Sequence, residues 1–186
     1  MSNTEIITIF ADASLRGNKA GWAAWAKFRG QTLRMSDGIT FPINNISDAE
    51  TIAITGAILQ SVRHFDVPLY SVMVLQSDST QALGSLLWAG WEAGENQRVL
   101  IAKNSDVHPS MPRKVFGVRA DFARKAFQTI RDKELTVYLK HVRGHSGLND
   151  PRSAVNEWCD SEAKNQMRSV IHQSADIILP AQIEKV

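Results

Sequence analysis

The chain opens on an unbroken apolar, β-branched run, Ile6-Ile7-Thr8-Ile9-Phe10, which stops at Asp12 and the small residues after it. Such a run predicts a strand buried on both faces. After a turn at Arg16-Gly17-Asn18, the stretch Gly21 to Phe28 alternates, with Trp22, Ala24, Ala26 and Phe28 on one face and Ala23, Trp25 and Lys27 on the other. Arg29-Gly30 marks a hairpin turn, and Thr32 to Phe41 reads as a third strand. Connections this short join antiparallel neighbours only, because a parallel crossover needs about a dozen residues or more. The expectation is an antiparallel meander of three strands.

Beyond Pro42 the period changes. Ile52, Leu59 and Val62 recur at helical spacing, predicting a helix from about Asp48 to His64. Tyr70 to Ser77 is a second interior strand, and it too ends on an acid, Asp78. A helix from Thr80 to about Trp91 follows, with Leu83, Leu86 and Leu87 inward. From Glu92 to Arg119, Gly and Pro residues break any period, so the segment reads as a loop. Asp121 to Asp132 is helical, Leu135 to Val142 alternates as a strand, His141 to Gly147 is a polar loop, and Ala154 to Ile171 is a final helix. The fold class is α/β, a mixed five-stranded sheet of a three-stranded meander plus two parallel strands, flanked by helices. A single domain is expected over residues 1–186, its core about 5–172, with a tail at 174–186 that has no assigned role.

Composition changes this picture little. The 186 residues suffice for one core, no apolar run is long enough to cross a membrane, and a lone cysteine, Cys159, excludes an internal disulfide framework. With no leader-like N-terminus, a cytoplasmic, monomeric protein away from membranes is the default expectation. Net charge is only +2. Its distribution matters more: Asn96 to Arg119 carries Arg98, Lys103, Arg113, Lys114 and Arg119 against one acid, Asp106.

The chemistry lies in acids placed on apolar elements. Asp12 and Asp78 end interior strands, and Glu50 and Asp160 are carried by helices. Alone, each has an ordinary explanation. Asp12 can open a turn, and Glu50 can close a capping box with Ser47. Together they are harder to explain without a counter-charge, since parallel neighbouring strands bring their carboxyl ends together and converging carboxylates repel. Oxygen-only donors suit a hard cation, Mg²⁺ above all with Mn²⁺ as a substitute, and two such ions about 4 Å apart support phosphodiester hydrolysis. A zinc site from His141, His145 and Cys159 fits no recognised ligand spacing.

Five blocks in order carry a resemblance: Asp12-Ala13-Ser14; Asn44-Asn45 ahead of Glu50; Ser77-Asp78-Ser79; Val142-Arg143-Gly144-His145-Ser146-Gly147; and Asn156-Glu157-Trp158-Cys159-Asp160. Over about residues 5–168 the chain resembles type 1 ribonuclease H, which implies a ribonuclease H-like fold and cleavage of the RNA strand of an RNA/DNA hybrid. The resemblance implies two Mg²⁺ ions held by Asp12, Glu50, Asp78 and Asp160, with His145 assisting departure of the product from the metal site. It also implies hybrid contacts by Asn18, Asn44 and Asn45, with Ser14, Ser79, Gln81 and Trp88 as further candidates. Arg113 and Lys114 are expected on an arm along the DNA strand. The chain departs from the pattern at Ala13, where glycine is usual, at Ile43, where a hydroxyl residue is usual, and at Gln81, one place later than usual. The competing readings are a structure-specific DNA nuclease on the same fold, and a non-catalytic module that binds nucleic acid through the basic segment with Trp88 and Trp91.

Overall fold

In the computed structural model, which describes residues 5–103, 105, 114–142 and 151–170, the opening run forms β1 (Ile6–Arg16). β1 pairs antiparallel with β2 (Lys19–Phe28), and β2 pairs antiparallel with β3 (Gln31–Ile39), as the tight turns require. On its other side β1 is parallel to β4 (Val72–Ser77). The helices are α1 (Ile46–His64), α2 (Thr80–Glu92), α3 (Gly117–Asp132) and α4 (Pro151–Ser169).

Among the described residues the sheet has six strands where the sequence predicts five. Within the segment read as a loop, a single 3-10 turn at Asn96–Arg98 leads into β5 (Val99–Ile101), which runs parallel to β6 (Thr136–His141). A three-residue strand is too short to show a period. It forms because the outer edge of β6 has backbone groups to satisfy, and Val99-Leu100-Ile101 supplies them. The resulting order is β3-β2-β1-β4-β6-β5.

Helix starts also shift. α1 begins at Ile46, capped by Asn45, whose extended backbone (φ −133°, ψ 126°) lets its side chain accept from the Ser47 amide at 2.9 Å. Ser47 is therefore inside the helix, the expected capping box does not form, and Glu50 has no capping task.

The two faces of the sheet carry two cores. Ile7, Ile9, Ala11, Trp22, Ala24 and Ala26 pack in one large cluster with side chains from α1, α2 and α3. The opposite face is smaller: Phe10, Ala23 and a half-buried Trp25 meet Cys159 and Ala163 of α4. There α4 lies so close that a Cβ built on Gly21 would stand 2.2 Å from the Met167 backbone nitrogen. The small residues of β2 are what let the helix seat. Among the described residues, no helix is long and apolar enough to cross a membrane.

Candidate functional site

Asp12 is not at the end of its strand, as the sequence predicts, but inside it. β1 runs on to Arg16 in its antiparallel pairing with β2, whereas the parallel register with β4 stops at Phe10↔Gln76. From there on β1 has a ladder partner on one side only, and the sheet is open beside Asp12. Into this opening come Glu50, from the second turn of α1, and Asp78, the first residue after β4. One carboxylate oxygen from each of the three lies within 4.8 Å of the others.

The cluster is costly as a set of bare charges. Asp12 is 6% exposed and Glu50 5% exposed, with Asp78 more open. Burial is the main cause that raises the Asp12 carboxyl to about 7; the charges of Asp78 and Asp160 add to it, against the Ala13 amide bond to Oδ1 at 2.8 Å and a side-chain hydrogen bond with Glu50. Burial likewise pushes Glu50 well above the ordinary carboxyl range, with Asp12 and Asp78 contributing. Glu50 Oε2 is buried without a hydrogen-bond partner. A buried carboxylate oxygen without a partner, on a residue grouped with two further carboxylates, is what a hard cation with oxygen ligands satisfies. The residues fit such an ion. Cys159 does not belong to the site: it is buried against Phe10 and Ala23, and burial pushes its thiol up to about 12.

Asp160 stands slightly apart. It is half-buried on α4, outside the group of three, yet near enough for its charge to raise Asp12. One turn along the helix, Lys164 Nζ sits 2.7 Å from Asp160 Oδ2. This i,i+4 pair was legible in the sequence but absent from the residues singled out there.

The other candidates divide. Asn44 is exposed ahead of α1, and Asn45 caps that helix. Gln81 is exposed near the start of α2, where its Oε1 accepts from Ser47 Oγ and, at 3.4 Å, from Arg119 Nη1. Arg119 also lies 3.6 Å from Asp48, so three helix starts are tied together beside the carboxylates. Ser79 uses its hydroxyl to cap α2, accepting from the Ala82 amide at 3.2 Å. Ser14 is half-buried on β1, on the Asp12 side of the strand, and Asn18 sits in the β1–β2 turn. Trp88 is a correction: it is 6% exposed within the main core, with the Arg124 guanidinium 5.0 Å over its ring, so no face is open for a base. Lys114 is exposed, its Nζ 5.3 Å from the Phe116 ring centroid. His145 and Arg113 lie outside the described residues. Ile43 is 2% exposed in the main core, which accounts for an apolar residue there.

The RNase H family model matches residues 4–168. Among solved structures, RNase H1 from the halophilic archaeon Halobacterium salinarum is similar with a TM-score of 0.53 at 16% identity, over 88% of this chain and 98% of that one. LC11-RNase H1, isolated from compost and solved in complex with an RNA/DNA hybrid, gives a TM-score of 0.57 at 15% identity, over 87% and 96%. The RNase H domain of prototype foamy virus gives 0.56 at 15%, over 90% and 96%. A search of curated protein sequences found no match. Likeness at such identities speaks for the fold; the family match, running from just before β1 to the last turn of α4, shows that the chain belongs to the RNase H family.

Proposed function

We propose that the protein is an endoribonuclease that hydrolyses the RNA strand of RNA/DNA hybrids with the help of divalent cations, two Mg²⁺ ions in the fullest form of the reading. The observation that carries it is the convergence of the buried Asp12 and Glu50 with the more open Asp78, together with a buried Glu50 oxygen that lacks a hydrogen-bond partner. Asp160, on the opposite helix and close enough to act on Asp12, extends the set to four. When bound, divalent cations in such a site supply a nucleophilic water at neutral pH and offset the charge that develops on the leaving oxygen.

The chain's own residues do the rest. Asp12 is held by its rigid interior strand, and its Oδ1 is oriented by the Ala13 amide. Glu50 is fixed by a helix packed on the sheet, so neither acid needs to reorganise during reaction. Lys164 offsets the Asp160 charge at the rim. The exposed amide of Asn44, close in sequence to Glu50, is suited to a 2′-hydroxyl, which donates and accepts and distinguishes RNA from DNA, and the Gln81 amide nitrogen can donate to one while its oxygen accepts from Ser47 and Arg119. The LC11 structure with a bound hybrid supports the same substrate class for this fold.

Labelled substrates of one sequence, as RNA/DNA hybrid, duplex DNA and a four-way DNA junction, test the reading with Mg²⁺ and with Mn²⁺. Cleavage confined to the RNA strand of the hybrid is expected. Preferential cutting of the junction or the DNA duplex would replace this reading with a DNA nuclease on the same fold.

A further inference from the structure

β6 ends at His141, which lies in register with Ser77, the last residue of β4. The side chain reaches across to that neighbouring strand, where His141 Nε2 is 3.0 Å from the backbone carbonyl oxygen of Asp78. A carbonyl oxygen only accepts, so Nε2 carries the hydrogen and donates it. The same peptide unit is held at its other end, because the Ser79 amide donates to Ser77 Oγ at 3.1 Å. Both polar ends of the Asp78–Ser79 peptide are thus pinned. Its Cα bears one of the three convergent carboxylates, and its far side opens α2 through the Ser79 cap.

The backbone that carries His141 is itself held by the segment that follows β5, the strand that the sequence does not reveal. Ala102, directly after β5, donates its amide to the Leu139 carbonyl at 2.8 Å. Ser105 Oγ then accepts from the His141 amide at 2.9 Å. On the other side the Val142 amide donates to the Ser77 carbonyl at 3.0 Å. Ala102 and Ser105 are therefore tied to β6 at the end nearer the carboxylates.

From this arrangement we infer that His141 is a positioning residue for Asp78: its Nε2–H fixes the peptide that aims the carboxylate, and Ser105 holds the His141 backbone from which the ring reaches. The inference rests on the proposed metal centre. Groups that orient a ligand from behind typically change metal affinity or activity by about 10–100-fold when removed. The contact is to backbone, so the effect depends on a donor at one point in space and not on charge.

Three substitutions separate that donor from the ring's bulk. His141→Gln places an amide N–H₂ near the position of Nε2. His141→Asn reaches only as far as Nδ1, and His141→Phe keeps the ring without the donor. Mn²⁺ binding to each folded variant is measured by calorimetry at one fixed pH, with Asp12→Asn as the control that removes a ligand. Phe and Asn are expected to weaken Mn²⁺ binding by about 10–100-fold, with Gln retaining most of the wild-type affinity. On a hybrid, the Phe variant should lose kcat at limiting Mn²⁺, recover it with excess Mn²⁺, and keep the wild-type KM. Wild-type Mn²⁺ affinity in the Phe variant would overturn the inference, and so would a loss in Gln equal to that in Phe, since packing alone would then explain it. Failure of the folded wild type to bind Mn²⁺ at all would overturn the metal centre itself, a result distinct from either.

Discussion

Without a cation, Asp12 and Glu50 hold protons that ordinary carboxyls release. Asp12 rises from 3.8 to about 7 in the folded protein. A carboxyl whose folded value lies above its unfolded one contributes stability in full below the unfolded value, and loses it as pH rises through the folded value. Between about pH 4 and pH 7 the metal-free protein should therefore become less stable. Thermal melts in chelator should show a lower Tm at pH 8 than at pH 5, and added Mg²⁺ should restore it at pH 8 by binding only the folded state. Asp12→Asn should flatten the profile and leave the chelated protein at pH 8 at least as stable as wild type, since it removes one charge from the cluster. A wild-type Tm that is the same at both pH values, with and without Mg²⁺, would contradict the electrostatics of the site. At this scale the acids were legible because a carboxylate on an apolar element is conspicuous. Trp88 was not: α2 is buried around most of its circumference, from Ala82 to Gly90, so periodicity alone cannot say which of its large side chains is open.

Among the elements, α2 and β2 show how one residue type acts oppositely in two contexts. Gly84 lies in the interior of α2, and a Cβ there meets nothing within 4 Å. Gly84→Ala should raise stability by roughly 0.5–1 kcal/mol, read as a shift in the denaturant midpoint at constant slope. At Gly21 the added Cβ would stand 2.6 Å from the Ala163 carbonyl oxygen as well as against the Met167 nitrogen, both backbone. Gly21→Ala should cost about 1–3 kcal/mol or more, because α4 must move off the sheet. An unchanged midpoint there would mean that α4 does not seat as described. Most elements were legible from the period of their apolar residues, and their ends shifted by a few residues where caps decided. β5 was not legible, because its identity as a strand comes from the free edge of β6 and not from Val99-Leu100-Ile101 itself. The extra length of β1 past Asp12 was hidden for a related reason: only the antiparallel partner β2 continues there.

Across the whole molecule, the ordered blocks made the fold readable, while the direction of individual charges did not follow from them. Of the basic residues of the Asn96 to Arg119 segment, Arg98 pairs with Glu95 at 2.5 Å and Arg119 lies 3.6 Å from Asp48, so both face acids of this chain. Lys114 remains exposed. If it meets a phosphate, Lys114→Ala should lower the slope of log affinity against log salt by roughly 0.7–0.9, with kcat on saturating hybrid unchanged. An unchanged slope would take Lys114 off the binding surface. We propose that Asp12, Glu50 and Asp78 form a divalent-cation centre that cuts RNA paired to DNA. Its most direct test is the cleavage rate of a hybrid's RNA strand by wild type in chelator, by wild type with Mg²⁺ or Mn²⁺, and by Asp12→Asn with the same cations. Cleavage by wild type is expected only when a cation is present, with less than about a tenth of that rate in Asp12→Asn. RNA cleavage that persists in chelator, or that survives Asp12→Asn at near wild-type rate, would contradict it.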